Sequence, residues 1–316
     1  MSDLALSSPQ VQVVPSSSRQ ADFRRWLEDN GASARTISAY LSDIGRFGTW
    51  FAQVNRQPLT PDLVTSYDLR AYREYALEVE KISAATWNRR RISLARFCRW
   101  GMLAGNLSYN PFQGIEPMAE AELAPRWLNR PDQGRIMRQV ERQVNGATTD
   151  HWRWQAARDQ AMVALMRYCG LRVGELVALD VGDITIGERG GRVLIRRGKG
   201  DKRRQIPLNA EARRAVSYWL SVRGGSGEGG EPVFIGKGTA RLTTRTVERR
   251  VAEISRQAGL EITPHQLRHT FCKSLVDAAT PVTTVQGLAG HARTETTKRY
   301  ILPGWDDLAA AVEKII

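Results

Sequence analysis

Cysteine is scarce in this 316-residue chain, and its three copies, Cys98, Cys169 and Cys272, stand in no CxxC pair. Each falls inside an apolar helical pattern. The expectation is buried thiols in a reducing compartment, with neither a disulfide framework nor a thiolate zinc site. Long apolar runs are missing too: no stretch approaches the roughly 18 residues of a membrane-spanning helix. The N-terminus also lacks the basic-then-apolar pattern of a secretory signal. A cytoplasmic protein with no membrane partner is expected. Acidic residues are in deficit, 33 against 46 basic ones, for a formal net charge of +13. Such a surplus suits a polyanionic partner, of which nucleic acid is the commonest. No internal repeat is found.

What is present is enough chain for two domains, each with its own core. Residues 1–18, MSDLALSSPQVQVVPSSS, are rich in Ser and Pro without a usable period and read as a disordered leader. Residues 19–106 read as four helices. The first holds Phe23, Trp26 and Leu27, and the second starts at Ser33 and repeats Ile37, Tyr40, Leu41, Ile44, Phe47 and Phe51. A third is announced by Thr60, Pro61 and Asp62 and runs to about Lys81; the fourth opens at Ser83. On the fourth, Trp87, Leu94, Cys98 and Met102 share one side, while Arg89, Arg96 and Arg99 share the other. No carboxylate occurs from Ile82 to Gly114, so these arginines are expected to meet DNA phosphates, against the plain alternative of a solvated charged face. Asn110, Pro111, Gly114 and Pro117 break the pattern, and residues 107–125 read as an extended linker that would let two halves close around a rod.

Residues 126–303 read as a second domain. Asn129 caps a helix with Ile136 and Val140, another helix runs from about Arg153 to Cys169, and Gly170 permits a tight turn. Arg172 and Glu175 then sit three apart on a short helix, where the acid can orient the guanidinium. The β signal is confined to GRVLIRRGKGDKRRQIPL, two strands joined at Gly198–Asp201 with Lys199 at the tip, and to a short PVFIG strand further on. Arg196, Arg197, Lys199, Lys202, Arg203 and Arg204 make six of the nine residues from Arg196 to Arg204 basic, which suits a tip lying along phosphates. A guarded sheet edge is the alternative. Helices are expected at about 210–223 and 244–258, with the glycine-rich GGSGEGGEP as a surface loop between them. Thr263 as N-cap and Pro264 as first helical residue place His265 and Arg268 on one face of the next helix. VTTVQGLAG forms a short helix closed by a left-handed Gly290, which turns the chain at His291. Tyr300 lies nine residues on, preceded by Lys298 and Arg299, whose charge would either ease formation of a phenolate or hold a nearby anion. Residues 304–316 read as a terminal helix with Leu308, Val312 and Ile315 on one face.

Four segments in this order, CGLRVGELVALDVGDI, GKGDKRR, HQLRHTF and GHARTETTKRY, resemble the boxes of the tyrosine recombinase (phage integrase) family, closest to its Xer-like members and to transposon or plasmid resolvases. The resemblance spans residues 19–316. It implies a mainly α fold with a small β-hairpin or sheet, in which a four-helix SAM-like core-binding domain and an α+β catalytic domain form a clamp around DNA. It also implies a site-specific recombinase that cleaves and rejoins strands through a 3′-phosphotyrosyl intermediate and a Holliday junction, with no cofactor or metal. On that resemblance Tyr300 is the nucleophile, Arg172 and Arg268 hold the non-bridging oxygens, and His265 and His291 assist proton movement and bind the phosphate. Lys199 protonates the leaving 5′-oxygen, and Glu175 supports the first arginine. The implied partner is double-stranded DNA with inverted-repeat core sites in the nucleoid, bound by a dimer per site and a tetramer on two sites, with residues 304–316 docking on a neighbouring protomer.

The chemistry asks for the same residue types. A pentacoordinate phosphorane gains negative charge that two fixed guanidiniums can hold without a metal. A phenol with a pKa near 10 needs a base or a positive field, here His265 and the arginines. Three rival readings use the same features. His265 and His269 lie four apart as in zinc hydrolases, but position 266 is Gln where the catalytic Glu would stand. A non-catalytic DNA-binding protein explains the charge but not the spacing of the boxes. A type IB topoisomerase shares the phosphotyrosine chemistry.

Overall fold

The computed structural model describes residues 17–119, 126–196, 203–225, 229–236, 238–290, 297, 300, 312 and 313. They belong to two compact units, Met1–Glu122 and Leu123–Ile316.

In the first unit, α1 (Ser17–Asp29), α2 (Ala34–Asn55), α3 (Ser66–Glu78) and α4 (Ala84–Leu103) pack around an aromatic core. Ser33 and Ser83 cap α2 and α4 through their side-chain oxygens. The third helix starts later than the Thr60-Pro61-Asp62 signal predicts. Pro61–Leu63 makes only a single 3-10 turn, and Val64 is extended and fully buried. Thr65 and Asp68 then form a reciprocal capping box, which satisfies two N–H donors at once and so fixes the start of α3. Phe23, Phe47, Tyr72 and Trp87 are wholly buried; each such side chain contributes about 1.5–3 kcal/mol relative to exposure. On α4, Trp87, Leu94 and Cys98 face the core as expected, but Met102 is 40% exposed. Gly101 and Trp100 take the packing position there instead.

Two expectations about charge and linker change. Arg89 forks onto Asp43 of α2 at 2.5 and 2.8 Å, so the missing local carboxylate is supplied from another helix. The stretch after α4 does not run free. Leu107, Phe112 and Ile115 are buried in the same core, and Arg91 donates to the Ile115 carbonyl at 2.7 Å.

The second unit comprises α5 (Arg130–Asn145), α6 (Asp150–Tyr168), α7 (Val173–Val177), β1 (Ile184–Ile186), β2 (Gly191–Ile195), β3 (Arg204–Pro207), α8 (Ala210–Val222), α9 (Thr244–Gln257), α10 (Pro264–Asp277) and α11 (Val282–Ala289). Helix α6 is buried on nearly every side, from Ala156 to Arg167 except Gln160, so it is the centre of the core and not an amphipathic surface helix. Helices α5, α8 and α10 pack around it. The strands form one antiparallel sheet in chain order, with Val193 opposite both Ile184 and Ile206. The hairpin signal thus marks β2 and β3, and β1 is an addition. PVFIG is not a strand: only isolated bridges form, Asp180 with Pro232 and Ile235 with Arg241. All three cysteines are buried free thiols. Among the described residues no helix is long and apolar enough to cross a membrane. Of residues 304–316, only Val312 and Glu313 are described, so the expected docking helix lies outside what the structure describes.

Candidate active site

Three basic side chains from separate elements converge on one carboxylate. Arg172 is the N-cap of α7, and Glu175 is that helix's third residue; the Arg172 N–H donates to Glu175 Oε2 at 2.9 Å and its Nη1 to Oε1 at 2.8 Å. Arg204, at the start of β3, forks onto both Glu175 oxygens at 2.9 and 2.8 Å. Arg268 of α10 brings its Nη1 to 4.0 Å from Glu175 Oε2. The acid is buried, which by itself would raise its pKa. The hydrogen bonds from Arg204 and the Arg172 backbone, with the two guanidinium charges, hold it below the ordinary carboxylate range. One buried anion therefore sits among three cations, and the surplus is positive.

The same arginines close the C-terminal end of α11. Arg204 Nε donates to the Leu288 carbonyl at 3.0 Å and Arg172 Nη2 to that of Gly290 at 3.1 Å, while Arg268 Nη2 donates to that of Ala289. Those carbonyls have no partner within their own helix and carry its partial negative charge, so guanidiniums are suited to them. Gly290 has φ 62 and ψ 46, the left-handed cap expected from sequence. Arg268 also donates to the Gly170 carbonyl. It is only 2% exposed, and burial followed by the Arg172 charge pulls its pKa down to about 10, which leaves it cationic at neutral pH.

Helix α10 carries the remaining chemistry. Thr263 and Gln266 form a capping box around Pro264, which sets the phase of the helix. His265 and His269, one turn apart, have ring centroids 4.1 Å apart in an edge-on arrangement and line one open pocket. Burial, then the Arg268 and Arg172 charges, hold the His265 imidazole below its ordinary value. Tyr300 is 2% exposed and packs with Phe271, Cys272, Val285 and Ala289. Its hydroxyl lies 2.5 Å from His269 Nδ1 and is hydrogen-bonded to the Cys272 side chain.

Lys298 and Arg299, on which the expectation of an eased phenolate rests, lie outside the described residues, and the described surroundings of Tyr300 act the other way. Burial, reinforced by Cys272, outweighs Arg268 and Arg172 and pushes the phenol above its ordinary value. Sequence reasoning also passed over His269, considering it only as a zinc ligand. The HxxxH spacing was the signal that both rings share a face. Among the described residues no group of side chains is arranged to hold a metal ion.

The other expected site residues divide. Lys199, His291, Arg197 and Lys202 lie outside the described residues, as do Lys298 and Arg299. Arg196 is ion-paired with Asp183 at 2.5 Å and Asp180 at 2.9 Å, and Arg204 is drawn into the carboxylate cluster, so neither is a freely presented phosphate ligand. Their carboxylates come from the segment before β1 and from α7, beyond the reach of local sequence reading. Arg203 is exposed, and Arg96 and Arg99 are exposed on α4.

The Phage integrase family model matches residues 135–303, and the model of the phage integrase N-terminal SAM-like domain matches residues 21–105. A tyrosine recombinase XerC from Chromohalobacter salexigens is 37% identical over 230 residues, 72% of each chain. The tyrosine recombinase XerC of Azotobacter vinelandii is 30% identical over 302 residues, covering 93% of this chain and 95% of that one. Among solved structures, the XerH site-specific recombinase bound to palindromic difH substrate in a post-cleavage complex superposes with a TM-score of 0.73 at 20% identity, over 93% of this chain and 84% of that one. A lambda integrase dimer bound to a COC′ core site gives 0.66 at 19% identity, over 90% and 94%. At such identities the structural likeness speaks to the fold.

Proposed function

Because the chain belongs to the phage integrase family and is a Xer-like site-specific tyrosine recombinase, we propose that Tyr300 attacks the scissile DNA phosphate to leave a 3′-phosphotyrosyl bond and a free 5′-hydroxyl. The observation that carries this reading is the convergence of Arg172, Arg204 and Arg268 on the single carboxylate of Glu175, in the same unit that buries Tyr300 against His269. Fixed guanidiniums in excess over their counter-ion form a preorganised anion site, which is worth most where negative charge grows during the reaction. Arg172, a third exposed in its side chain, is the most accessible of the set and would meet the non-bridging oxygens first. Arg268 lies behind it. Glu175 keeps the cluster from repelling itself apart and fixes its direction.

In the same reading His265 and His291 bind the phosphate, and Lys199, on the connection between β2 and β3, protonates the leaving 5′-oxygen. Bond energy is conserved in the tyrosyl ester, so rejoining needs no nucleotide. The partner is double-stranded DNA with inverted-repeat core sites, engaged by residues 19–106 and 126–303 as core-binding and catalytic domains. A dimer occupies each site and a tetramer joins two, with residues 304–316 linking protomers, in the cytoplasm.

The deciding experiment selects duplexes from a randomised library by binding to the full chain, nicks the recovered site into a suicide substrate, and compares wild type with Tyr300→Phe. A covalent protein–DNA band is expected for wild type only, with binding retained in the variant. A band that persists in Tyr300→Phe places the nucleophile elsewhere.

A further inference from the structure

The buried phenol poses a problem of proton balance. Burial holds the Tyr300 hydroxyl in its protonated form, so the proton must leave as the Oη–P bond forms, and a group in contact must receive it. Among the described residues the imidazole at that hydroxyl is His269, at 2.5 Å from Nδ1, whereas His265 makes no hydrogen bond to it. Resting on the assignment of Tyr300 as nucleophile, we propose that His269 is the catalytic residue that accepts the Tyr300 proton and returns it on religation.

For Nδ1 to accept, the ring proton must sit on Nε2. The step then balances. Oη–H breaks as Oη–P forms, the proton passes to Nδ1 to give an imidazolium, and the P–O5′ bond breaks with the 5′-oxygen protonated by the acid assigned to Lys199. In religation the 5′-hydroxyl attacks as its proton passes back to the amine assigned to Lys199, the Oη–P bond breaks, and the imidazolium returns its proton to the departing phenolate. Cys272 does not compete as a base, because burial pushes its thiol up and keeps it S–H. His269 also lines the open pocket shared with His265.

Other charged groups act on His269. Tyr300 and Cys272 meet at the hydroxyl, His265 lies one turn back, and Arg268 is its chain neighbour. Arg126, Arg256 and Glu261 stand on the pocket rim.

The test measures single-turnover covalent cleavage of the nicked suicide substrate from pH 5.5 to 9, with DNA affinity by mobility shift and thermal melting alongside. Wild type should lose rate on the acid side as the imidazole protonates. His269→Asn keeps a hydrogen-bond acceptor near Nδ1 but cannot take up a proton in this range. It should bind DNA like wild type, cleave roughly 10²-fold or more slowly, and show a rate that climbs with hydroxide in place of the acid limb. His269→Ala should regain part of the rate with added imidazole. A His269→Asn enzyme with wild-type rate and an unchanged acid limb overturns the inference. Tyr300→Phe, run in parallel, separates the two levels. A surviving band there removes the nucleophile assignment itself, while loss of the band with an unimpaired His269→Asn removes only the role of His269. If His269→Ala unfolds, the asparagine variant alone decides.

Discussion

At the scale of single residues, the centre of this unit is Glu175, a carboxylate surrounded by Arg172, Arg204 and Arg268. Removing one partner of a buried ion pair costs about 3–5 kcal/mol because the other charge is left without compensation. Glu175→Gln, which keeps the shape, should therefore lower stability by about 3 kcal/mol, or roughly 6–12 °C in the melting of its unit. Inorganic sulfate should restore part of the loss by occupying the unbalanced cations. The pH dependence has a fixed sign. The folded pKa of Glu175 lies below its unfolded value, so the unfolded state binds more protons. Its contribution is fully present above the unfolded carboxylate range and is lost as pH falls through the folded value. Wild type should lose this stability on acidification, and Glu175→Gln should lose less; equal acid slopes in calorimetry would refute the linkage. The sequence revealed only the local half of this cluster. Arg172 and Glu175 are three apart and visibly paired, whereas Arg204 arrives 29 residues later from a strand, and no local pattern announces it. The contact of His269 with Tyr300, 31 residues on, was hidden for the same reason.

At the scale of elements, helix ends carry more of the site than helix faces do. Capping chemistry was legible because it is local: Thr263 as N-cap before Pro264 on α10, and a left-handed Gly290 closing α11, follow from residue type and position alone. The three-residue strand β1 was too short to show a period, and PVFIG failed as a strand because its backbone is spent on scattered bonds, such as Val233 N–H to the Leu179 carbonyl. The C-terminus of α11 gives the sharpest prediction at this level. A Cβ on Gly290 would lie 2.8 Å from Arg204 Nη1 and 3.0 Å from its Cζ, and the residue must hold φ at +62°. Gly290→Ala should cost about 1–2 kcal/mol for the left-handed backbone. It should also displace the Arg204 fork from Glu175 and shift the carbonyl that Arg172 uses. Misplacement of that order slows catalysis roughly 10²-fold. Covalent cleavage should fall by about that factor while DNA affinity stays within about threefold; equal losses in both would mean that the α11 carbonyls organise binding and not the reaction.

At the scale of the whole molecule, the net charge of +13 is not all available to DNA. Composition announced a polyanionic partner correctly, but it could not say which arginines are occupied by carboxylates distant in sequence. The α4 face shows the difference. Arg89 is tied to Asp43, which is only 2% exposed and also accepts from Ser93 at 2.7 Å, whereas Arg96 and Arg99 make no ion pair among the described residues. A side chain that neutralises one phosphate contributes about 0.9 to the slope of log affinity against log salt. Arg96→Ala and Arg99→Ala should therefore each weaken binding across all sequences and flatten that slope by about 1, with melting unchanged. Arg89→Ala should do the reverse. It strands the buried Asp43 carboxylate, at a cost of about 1–3 kcal/mol. The loss should sit toward the low end, since the Arg89 side chain is itself 51% exposed and partly screened. Its salt slope should stay near that of wild type. Titrating the three variants against one duplex at several salt concentrations, with melting curves beside them, separates the outcomes. A slope change in Arg89→Ala equal to that in Arg96→Ala would show that the Asp43 pair opens when DNA binds, and that the internal ion pair is no barrier to phosphate contact.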